Sequence, residues 1–374
     1  MNPARYDVVI IGAGQSGLAA GRELARKKLR FVVLEANERV GDNWRARYDS
    51  LLLYTPARYN ALPGLPLPMP GHAFPTGRQM ADYLEAYAEH HAIPVRTGVA
   101  VDSLARRNDG DFEIAAGSDR YVADHVIVAT GPFQHPRVPD FAAGLDPAIR
   151  QIHSADYRDP SQLADGAVLV VGLSHSGADL AMEAVENGHR TFLSGKAHGQ
   201  LPFSVDSRRA RLAQPVLRFV ASNLLTLRTP IGRKMAPKIR MGGGPLLRAR
   251  HADLDRAGVE RHDARTIGVN DGKPELADGA VLDVANIIWC TGFRPDYDWI
   301  RLPVAGEDGW PVQDRGVAAA AEGLYFLGLP FLYGFTSMLV LGAARDAAHV
   351  VDRVARRAEE LSRSPGVVAG ESAT

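Results

Sequence analysis

Tyr6-Asp-Val-Val-Ile-Ile-Gly12-Ala-Gly14-Gln-Ser-Gly17 decides the fold. Its first half is an apolar, β-branched run, the composition of a strand buried on both faces. Its second half is a Gly-x-Gly-x-x-Gly turn, after which the pattern from Ser16 to Lys28 becomes helical. In that setting each glycine has a separate task. Gly12 permits the tight turn, Gly14 lets backbone approach a pyrophosphate, and Gly17 lets the helix pack on the strand. The phosphates and Ser16 would share a helix N-terminus, where unpaired N–H groups and the dipole favour anions. The next strand, Phe31 to Leu34, runs into Glu35, placed to accept from ribose hydroxyls.

The arrangement returns at Ala167-Val-Leu-Val-Val-Gly172-Leu-Ser174-His-Ser176-Gly177, with a helix from Ser176 to Asn187 and a strand from Arg190 to Leu193. Ser174 replaces the middle glycine; it still leaves room near a phosphate, and its hydroxyl can donate. The second strand ends in Leu193-Ser194-Gly195-Lys196, with no acid for an NAD ribose. A hydroxyl at Ser194 and a cation at Lys196 suit a 2′-phosphate, so NADP is expected over NAD. The plainer reading of Lys196 is a solvated loop lysine. Two β-loop-α-β units predict an α/β protein with two Rossmann-like dinucleotide-binding domains. The stretch Pro136 to Pro160 is punctuated by proline and reads as the crossing between them, with the return after Cys290-Thr-Gly-Phe-Arg-Pro295. The expected division is 1–150, 151–292 and 293–374, the second domain inserted into a discontinuous first.

The rest of the chain narrows the chemistry by exclusion. Its 374 residues are 46% hydrophobic and 23% charged, the profile of a globular protein, and 43 Lys+Arg balance 43 Asp+Glu. That balance gives no reason to expect a nucleic-acid partner. The single cysteine, Cys290, excludes internal disulfides, thiolate zinc clusters and a Cys-x-x-Cys redox pair, and no metal is expected. It also fits a reducing, cytoplasmic setting. A strand beginning at Asp7 leaves no room ahead of it for a signal peptide, so none is expected. From Gly323 to Ala344 no side chain is charged, but Gly328, Pro330, Gly334 and Gly342 interrupt the run. It reads as a buried strand (Leu324 to Leu327), a loop and a helix from about Phe335, with no integral membrane segment. Thr76 and Gln79 predict a capping box ahead of a helix with Met80, Leu84, Tyr87 and His91 on one side. Short strands are expected around Val99, Phe112 and Tyr121, and a buried one from His125 to Ala129. A polar tail follows Arg363.

Two dinucleotide sites without redox cysteines imply hydride transfer from a nicotinamide to a flavin, and then electron release by a route other than a protein disulfide. Oxygen is the simplest acceptor. Several segments together resemble the flavin-containing monooxygenases, particularly the bacterial branch close to the plant indole-3-pyruvate monooxygenases. Val40-Gly-Asp-Asn43-Trp44-Arg45 is similar to that family's glycine-tryptophan segment, and Tyr48-Asp-Ser-Leu-Leu-Leu-Tyr54-Thr55-Pro56 to its segment past the flavin ring. Ala129-Thr130-Gly131-Pro132 and Cys290-Thr291-Gly292-Phe293 are similar to its two Ala-Thr-Gly-type strand ends.

The resemblance implies FAD on the first loop, held also by Asn43, Trp44, Arg45, Tyr54, Thr55, Thr130 and Gly131, with Thr291 and Gly292 at the second crossing. It implies NADP(H) on the second loop, with Gly172, Ser174, Ser176, Gly177 and Asp179 in contact; Asp179 alone could equally be a first-turn acid serving the helix dipole. The implied activity is an FAD- and NADPH-dependent monooxygenation through a C4a-hydroperoxyflavin. The substrate would be a nucleophilic small molecule oxygenated at N, S or C, or a 2-oxo acid undergoing oxidative decarboxylation. No catalytic side chain is assigned, because the cofactor performs the oxidation. The alternative is an NADPH-dependent flavoprotein reductase serving a partner protein. Small-molecule substrate and molecular oxygen are the expected partners, with homodimerisation left open. His153-Ser-Ala-Asp-Tyr157 is similar to the tail of the family signature, where His153 reads as a hinge residue rather than a general base.

One stretch fits none of this. Between Ser207 and Ala252 there are 11 Lys or Arg and no acid, interleaved with apolar residues such as Val216, Leu217 and Leu224. Three readings stand open for this basic helical insert (207–252): a solvated excursion, a pocket for an anionic substrate, or peripheral membrane attachment.

Overall fold

The computed structural model describes residues 3–196, 199–240 and 243–363. The polar tail after Arg363, and Met241-Gly242 of the basic insert, lie outside them. Strand β1 (Ala4–Ile11) is fully buried from Val8 onward and turns at Gly12 into helix α1 (Gln15–Arg26), which lays Leu18, Ala20 and Leu24 against the sheet. Strand β2 (Phe31–Leu34) then pairs parallel to β1, as a right-handed crossover requires. A one-turn helix α2 (Asp42–Arg45) and a longer α3 (Gly77–His90) follow. The expected capping box starts α3: Thr76 Oγ1 accepts from Gln79 N at 3.1 Å and Gln79 Oε1 from Thr76 N at 2.9 Å.

Strands β3 (Val95–Arg96), β4 (Ser103–Arg106), β5 (Phe112–Ala116) and β6 (Asp119–Val128) complete the first run. The sequence suggests two separate strands near Tyr121 and His125; they are one. β6 is long because its first half pairs antiparallel with β5 while Tyr121–Val128 pair parallel with β1. Val99 lies outside any strand, its amide donating to the Glu35 carbonyl at 2.8 Å.

The chain crosses through β7 (His135–Pro136) to β8 (Arg150–His153), β9 (Val168–Val171), helix α4 (His175–Glu186) and β10 (Thr191–Ser194). Helices α5 (Arg208–Phe219), α6 (Pro230–Arg240) and α7 (His251–Ala257) follow, then β11 (Glu260–His262), the β12 (Thr266–Asn270) and β13 (Lys273–Leu276) hairpin, and β14 (Asn286–Trp289). The return passes through β15 (Phe293–Arg294) to β16 (Gln313–Asp314), β17 (Val317–Ala318), β18 (Leu324–Phe326) and helix α8 (Val340–Arg363).

Two sheets result. The first runs β16-β17-β18-β6-β1-β2-β3 with the β4–β5 hairpin off β6; the second runs β11-β10-β9-β14-β8. Strands from both ends of the chain therefore share one sheet, because β18 pairs parallel to β6. Each sheet has its glycine turn on its central strands, β1 and β9, at the carboxyl ends where open α/β sheets take ligands. The charge-free stretch folds as expected, into β18, a loop and then a helical segment. Among the described residues no helix is long and apolar enough to cross a membrane.

Candidate functional site

The first loop separates its three glycines physically. Gly12 has φ +105°, and a Cβ there would sit 2.6 Å from the Ala129 carbonyl oxygen. A Cβ on Gly17 would lie well inside contact distance of the Gly12 carbonyl. Both are demanded by packing. Gly14 is different: its backbone is extended (φ −73°, ψ −177°) and a Cβ would meet nothing within 4 Å. The fold does not need glycine there, and the space above the N-terminus of α1, where a helix favours anions, is open. Ser16 is buried beside Gly328 on the same turn.

Glu35 is fixed rather than free. One carboxylate oxygen accepts from Ala13 N at 2.7 Å and the other from Asn37 N at 3.0 Å, which locks the loop while leaving lone pairs for a ribose. Asn43 is exposed, and the buried Trp44 indole N–H has no partner, a donor awaiting an acceptor. Arg45, expected at the cofactor, has protein partners of its own. Its guanidinium is occupied by Val40 O, Asp42, Asp82 and Glu85 at 2.8–3.0 Å, so it fastens α2 to α3.

The second loop has the same backbone form. Gly172 has φ +120°, and a Cβ on Gly177 would collide with the Gly172 carbonyl. Two of its hydroxyls are turned elsewhere. Ser174 Oγ exchanges hydrogen bonds with the backbone of Gly244, donating at 3.2 Å and accepting at 3.1 Å, so the end of the basic insert is latched to this loop. Ser194, expected toward a 2′-phosphate, is fully buried and shares a 2.7 Å hydrogen bond with Thr266. That leaves Lys196, which is exposed at the end of β10.

The two crossings are zipped together. β7 and β15 pair antiparallel, Arg137 N donates to Gly292 O at 2.9 Å, and the Thr291 hydroxyl donates to Arg137 O. Gln134 spans both: its amide donates to Thr130 Oγ1 and Gly131 O, each at 3.0 Å, and its carbonyl accepts from Asp296 N at 2.6 Å. Gly131 (φ +75°) and Gly292 (φ +80°) would each carry a Cβ into open space, so each leaves bare backbone beyond the carboxyl end of an interior strand. His153, read from sequence as a hinge residue, sits beside the second crossing. Its Nδ1 accepts from Ala155 N and its Nε2 donates to Gly292 O, both at 3.1 Å, and burial lowers its pKa; both ring nitrogens are held by backbone.

Residues from the first two parts of the chain meet over the junction. Tyr54 donates to Asp179 Oδ2 at 2.6 Å, Arg248 stands 3.8 Å from the same carboxylate, and the His175 ring lies 5.2 Å from that of Tyr54. Arg248 also donates to Leu52 O and Leu53 O and stacks over Tyr54 at 5.1 Å. Burial raises the Asp179 and Tyr54 pKa values and lowers that of His175 to about 4, so the phenol stays protonated and the imidazole neutral. Asp179 is thus an interdomain acceptor, not a bare first-turn acid. Thr55 is engaged within its own loop, donating to Asn60 at 2.8 Å.

Sequence reading missed Arg248 and Gln134, because nothing local marks an arginine or glutamine that bridges segments over a hundred residues apart. It also missed Arg47, which lies 5.4 Å from the rings of both Phe133 and Phe293, one beside each crossing. Burial pushes the Cys290 thiol up to about 12, against a lowering hydrogen bond from Ser154, which fits the expected inert thiol.

The pyridine nucleotide-disulphide oxidoreductase family matches residues 9–210. An uncharacterised oxidoreductase called CzcO-like, from Geobacillus kaustophilus, is 36% identical, over 93% of this chain and 98% of its own length. The indole-3-pyruvate monooxygenase YUCCA1 of Oryza sativa subsp. japonica is 29% identical, over 95% of this chain and 93% of its own. A solved flavin-containing monooxygenase from Stenotrophomonas maltophilia superposes with a TM-score of 0.75 at 27% identity, covering 95% of this chain and 99% of that one.

Proposed function

The chain belongs to the pyridine nucleotide-disulphide oxidoreductases and, within them, to the flavin-containing monooxygenases, and from that premise we propose that it uses NADPH and dioxygen to oxygenate a nucleophilic small molecule. FAD and NADP(H) are its cofactors. The observation that carries the reading is the pairing of two glycine turns of one form, Gly12–Gly17 and Gly172–Gly177, with no cysteine near either except the inert Cys290. Electrons reaching the flavin have no protein disulfide to enter. When bound, FAD accepts a hydride from NADPH and supports transfer of one oxygen atom from dioxygen, the other leaving as water.

The chain's own residues bind, orient and exclude water. In this proposal the open backbone at Gly14 and the N-terminus of α1 hold the FAD pyrophosphate, Glu35 accepts from its ribose, and Trp44 supplies its unpartnered N–H. Gly172, Ser176 and Gly177 receive NADPH, and Lys196 reads the 2′-phosphate. Gly131 and Gly292 bring bare backbone to where the two domains face each other. Tyr54, Asp179 and Arg248 close the junction: the phenol proton is held on Tyr54 by a carboxylate whose own protonation burial favours.

The basic insert roofs the same junction. Leu227 N donates to Tyr333 O at 2.9 Å, Phe335 N to Leu225 O at 2.8 Å, and Arg58 to Gln214, so the insert spans both halves of the first domain. Such a roof excludes the water that uncouples oxygen activation. A cytoplasmic setting belongs to the same proposal. The finer choice among N-, S- and C-oxygenation or oxidative decarboxylation of a 2-oxo acid rests on the resemblance to the plant enzymes.

The test is stoichiometry. With an amine, sulfide or 2-oxo acid panel, one NADPH and one dioxygen should disappear per oxygenated product. NADPH consumption that starts only when a carrier protein is added would move the reductase reading ahead.

A further inference from the structure

Helix α5 is built inside out. Its inward face carries Ala210 and Gln214, 1% and 8% exposed, while Leu212, Val216 and Phe219 are 84%, 65% and 58% exposed. The spacing i, i+4, i+7 sets those three side chains in one stripe along the outer face. The helix is pinned in this orientation: the Ser207 side chain accepts from Ala210 N at 3.1 Å, and Gln214 accepts from Arg58. Helix α6 repeats the inversion, burying Gly232 and Ala236 and leaving Ile231 59% exposed. A single exposed apolar side chain is ordinary, but a continuous stripe on a fixed helix calls for a covering partner.

The charge around the stripe says which partner. Eight cations of the insert are exposed: Arg208, Arg209, Arg211 and Arg218 on α5, Arg228 in the turn, and Arg233, Lys234 and Lys238 on α6. Among the described residues none of the eight stands within ion-pair distance of a carboxylate; the insert's paired cations are Arg240, Arg248 and Arg250. A second copy of the chain is a poor occupant. An isologous contact would set these cations against their own copies, and positions 207–252 contain no acid to relieve them. An anionic lipid surface satisfies both features at once. Apolar side chains enter the headgroup boundary while guanidinium and ammonium groups reach lipid phosphates from the flanks.

We infer that the outer face of α5 and α6 docks on the surface of anionic membranes, with Leu212, Val216 and Phe219 inserted. The inference does not depend on the proposed reaction, and its readout is partition. The FAD-loaded full chain is sedimented with vesicles of phosphatidylcholine alone or mixed equally with phosphatidylglycerol, at low and high salt. It should pellet with the mixed vesicles, at least about tenfold less with phosphatidylcholine alone, and less at high salt. Leu212→Ser/Val216→Ser/Phe219→Ser should lower partition at least about tenfold while FAD content and lipid-free NADPH oxidation stay within about twofold. Arg208→Gln/Arg209→Gln/Arg211→Gln should lose the preference for anionic vesicles. Failure to pellet with mixed vesicles overturns the inference, as does unchanged partition of the triple-serine variant. A solution dimer that the triple-serine change dissolves also overturns it, by assigning the stripe to a second copy.

Discussion

Substitutions at Gly12 and Gly14 should fail in opposite ways, although the motif treats the two alike. At Gly12 any side chain meets two penalties. The backbone is in the left-handed region at φ +105°, which costs an L residue about 1–2 kcal/mol or more. The new Cβ would also sit 2.6 Å from Ala129 O and 2.9 Å from Ala129 C, both backbone atoms of a sheet that cannot yield cheaply. Overpacking of that kind adds about 1–3 kcal/mol. Gly12→Ala should therefore destabilise the cofactor-free protein by about 2–5 kcal/mol, a large share of a typical domain's stability. At Gly14 the backbone is extended and nothing lies within 4 Å, so the cofactor-free cost of Gly14→Val should be only about 1 kcal/mol.

The loss at Gly14 appears instead in binding. Branched carbons would occupy the space assigned to the pyrophosphate and displace it from the N–H groups of α1. A cost of about 2–4 kcal/mol corresponds to roughly 30- to 700-fold weaker FAD binding. The assay pairs urea denaturation of stripped protein with FAD titration followed by flavin fluorescence. If Gly14→Val binds FAD as tightly as the parent, the pyrophosphate assignment is wrong. If stripped Gly12→Ala is as stable as the parent, the packing argument fails.

Three further outcomes follow from the same geometry. Lys196→Ala should raise KM for NADPH by roughly three- to tenfold and for NADH by less than about twofold, since an exposed cation is partly screened; equal effects on both would show that Lys196 does not read the 2′-phosphate. Burial raises Asp179 above its unfolded value, so its ionisation weakens the fold as pH climbs from about 3.9 through that raised pKa. Asp179→Asn should thus gain stability relative to the parent as pH rises from about 4.5 toward 7, and a difference that ignores pH refutes the assignment. Tyr54→Phe, which removes the 2.6 Å hydrogen bond opposing that shift, should steepen the decline. Cys290, held near 12, should resist a thiol reagent at pH 8 until the protein is unfolded, and Cys290→Ser should leave NADPH oxidation within about twofold of the parent; rapid native labelling would contradict its burial.

Much of this protein is legible from local sequence, for a physical reason. A glycine with no room for a Cβ, a buried β-branched run and a helix start are all set by residues a few positions apart. Thus Gly12, Gly17, Gly172 and Gly177, the strands β1 and β9, the Thr76 capping box and the inert Cys290 could be read along the chain. What required the tertiary structure is every role that depends on a distant partner. Arg45 is held by Asp82 and Glu85, Ser194 by Thr266, and Ser174 is latched to Gly244, because long-range hydrogen bonds decide where a polar group points. Tyr54, Asp179 and Arg248 lie far apart in sequence and meet only because the folded chain brings the Leu51–Pro56 segment against helix α4 and the end of the basic insert. The basic insert shows the boundary most clearly. Its cations are plain in the sequence, but only the packed structure decides that Ala210 and Gln214 turn inward and leave Leu212, Val216 and Phe219 outside, since helical spacing defines a face and the neighbouring surface chooses which way it turns.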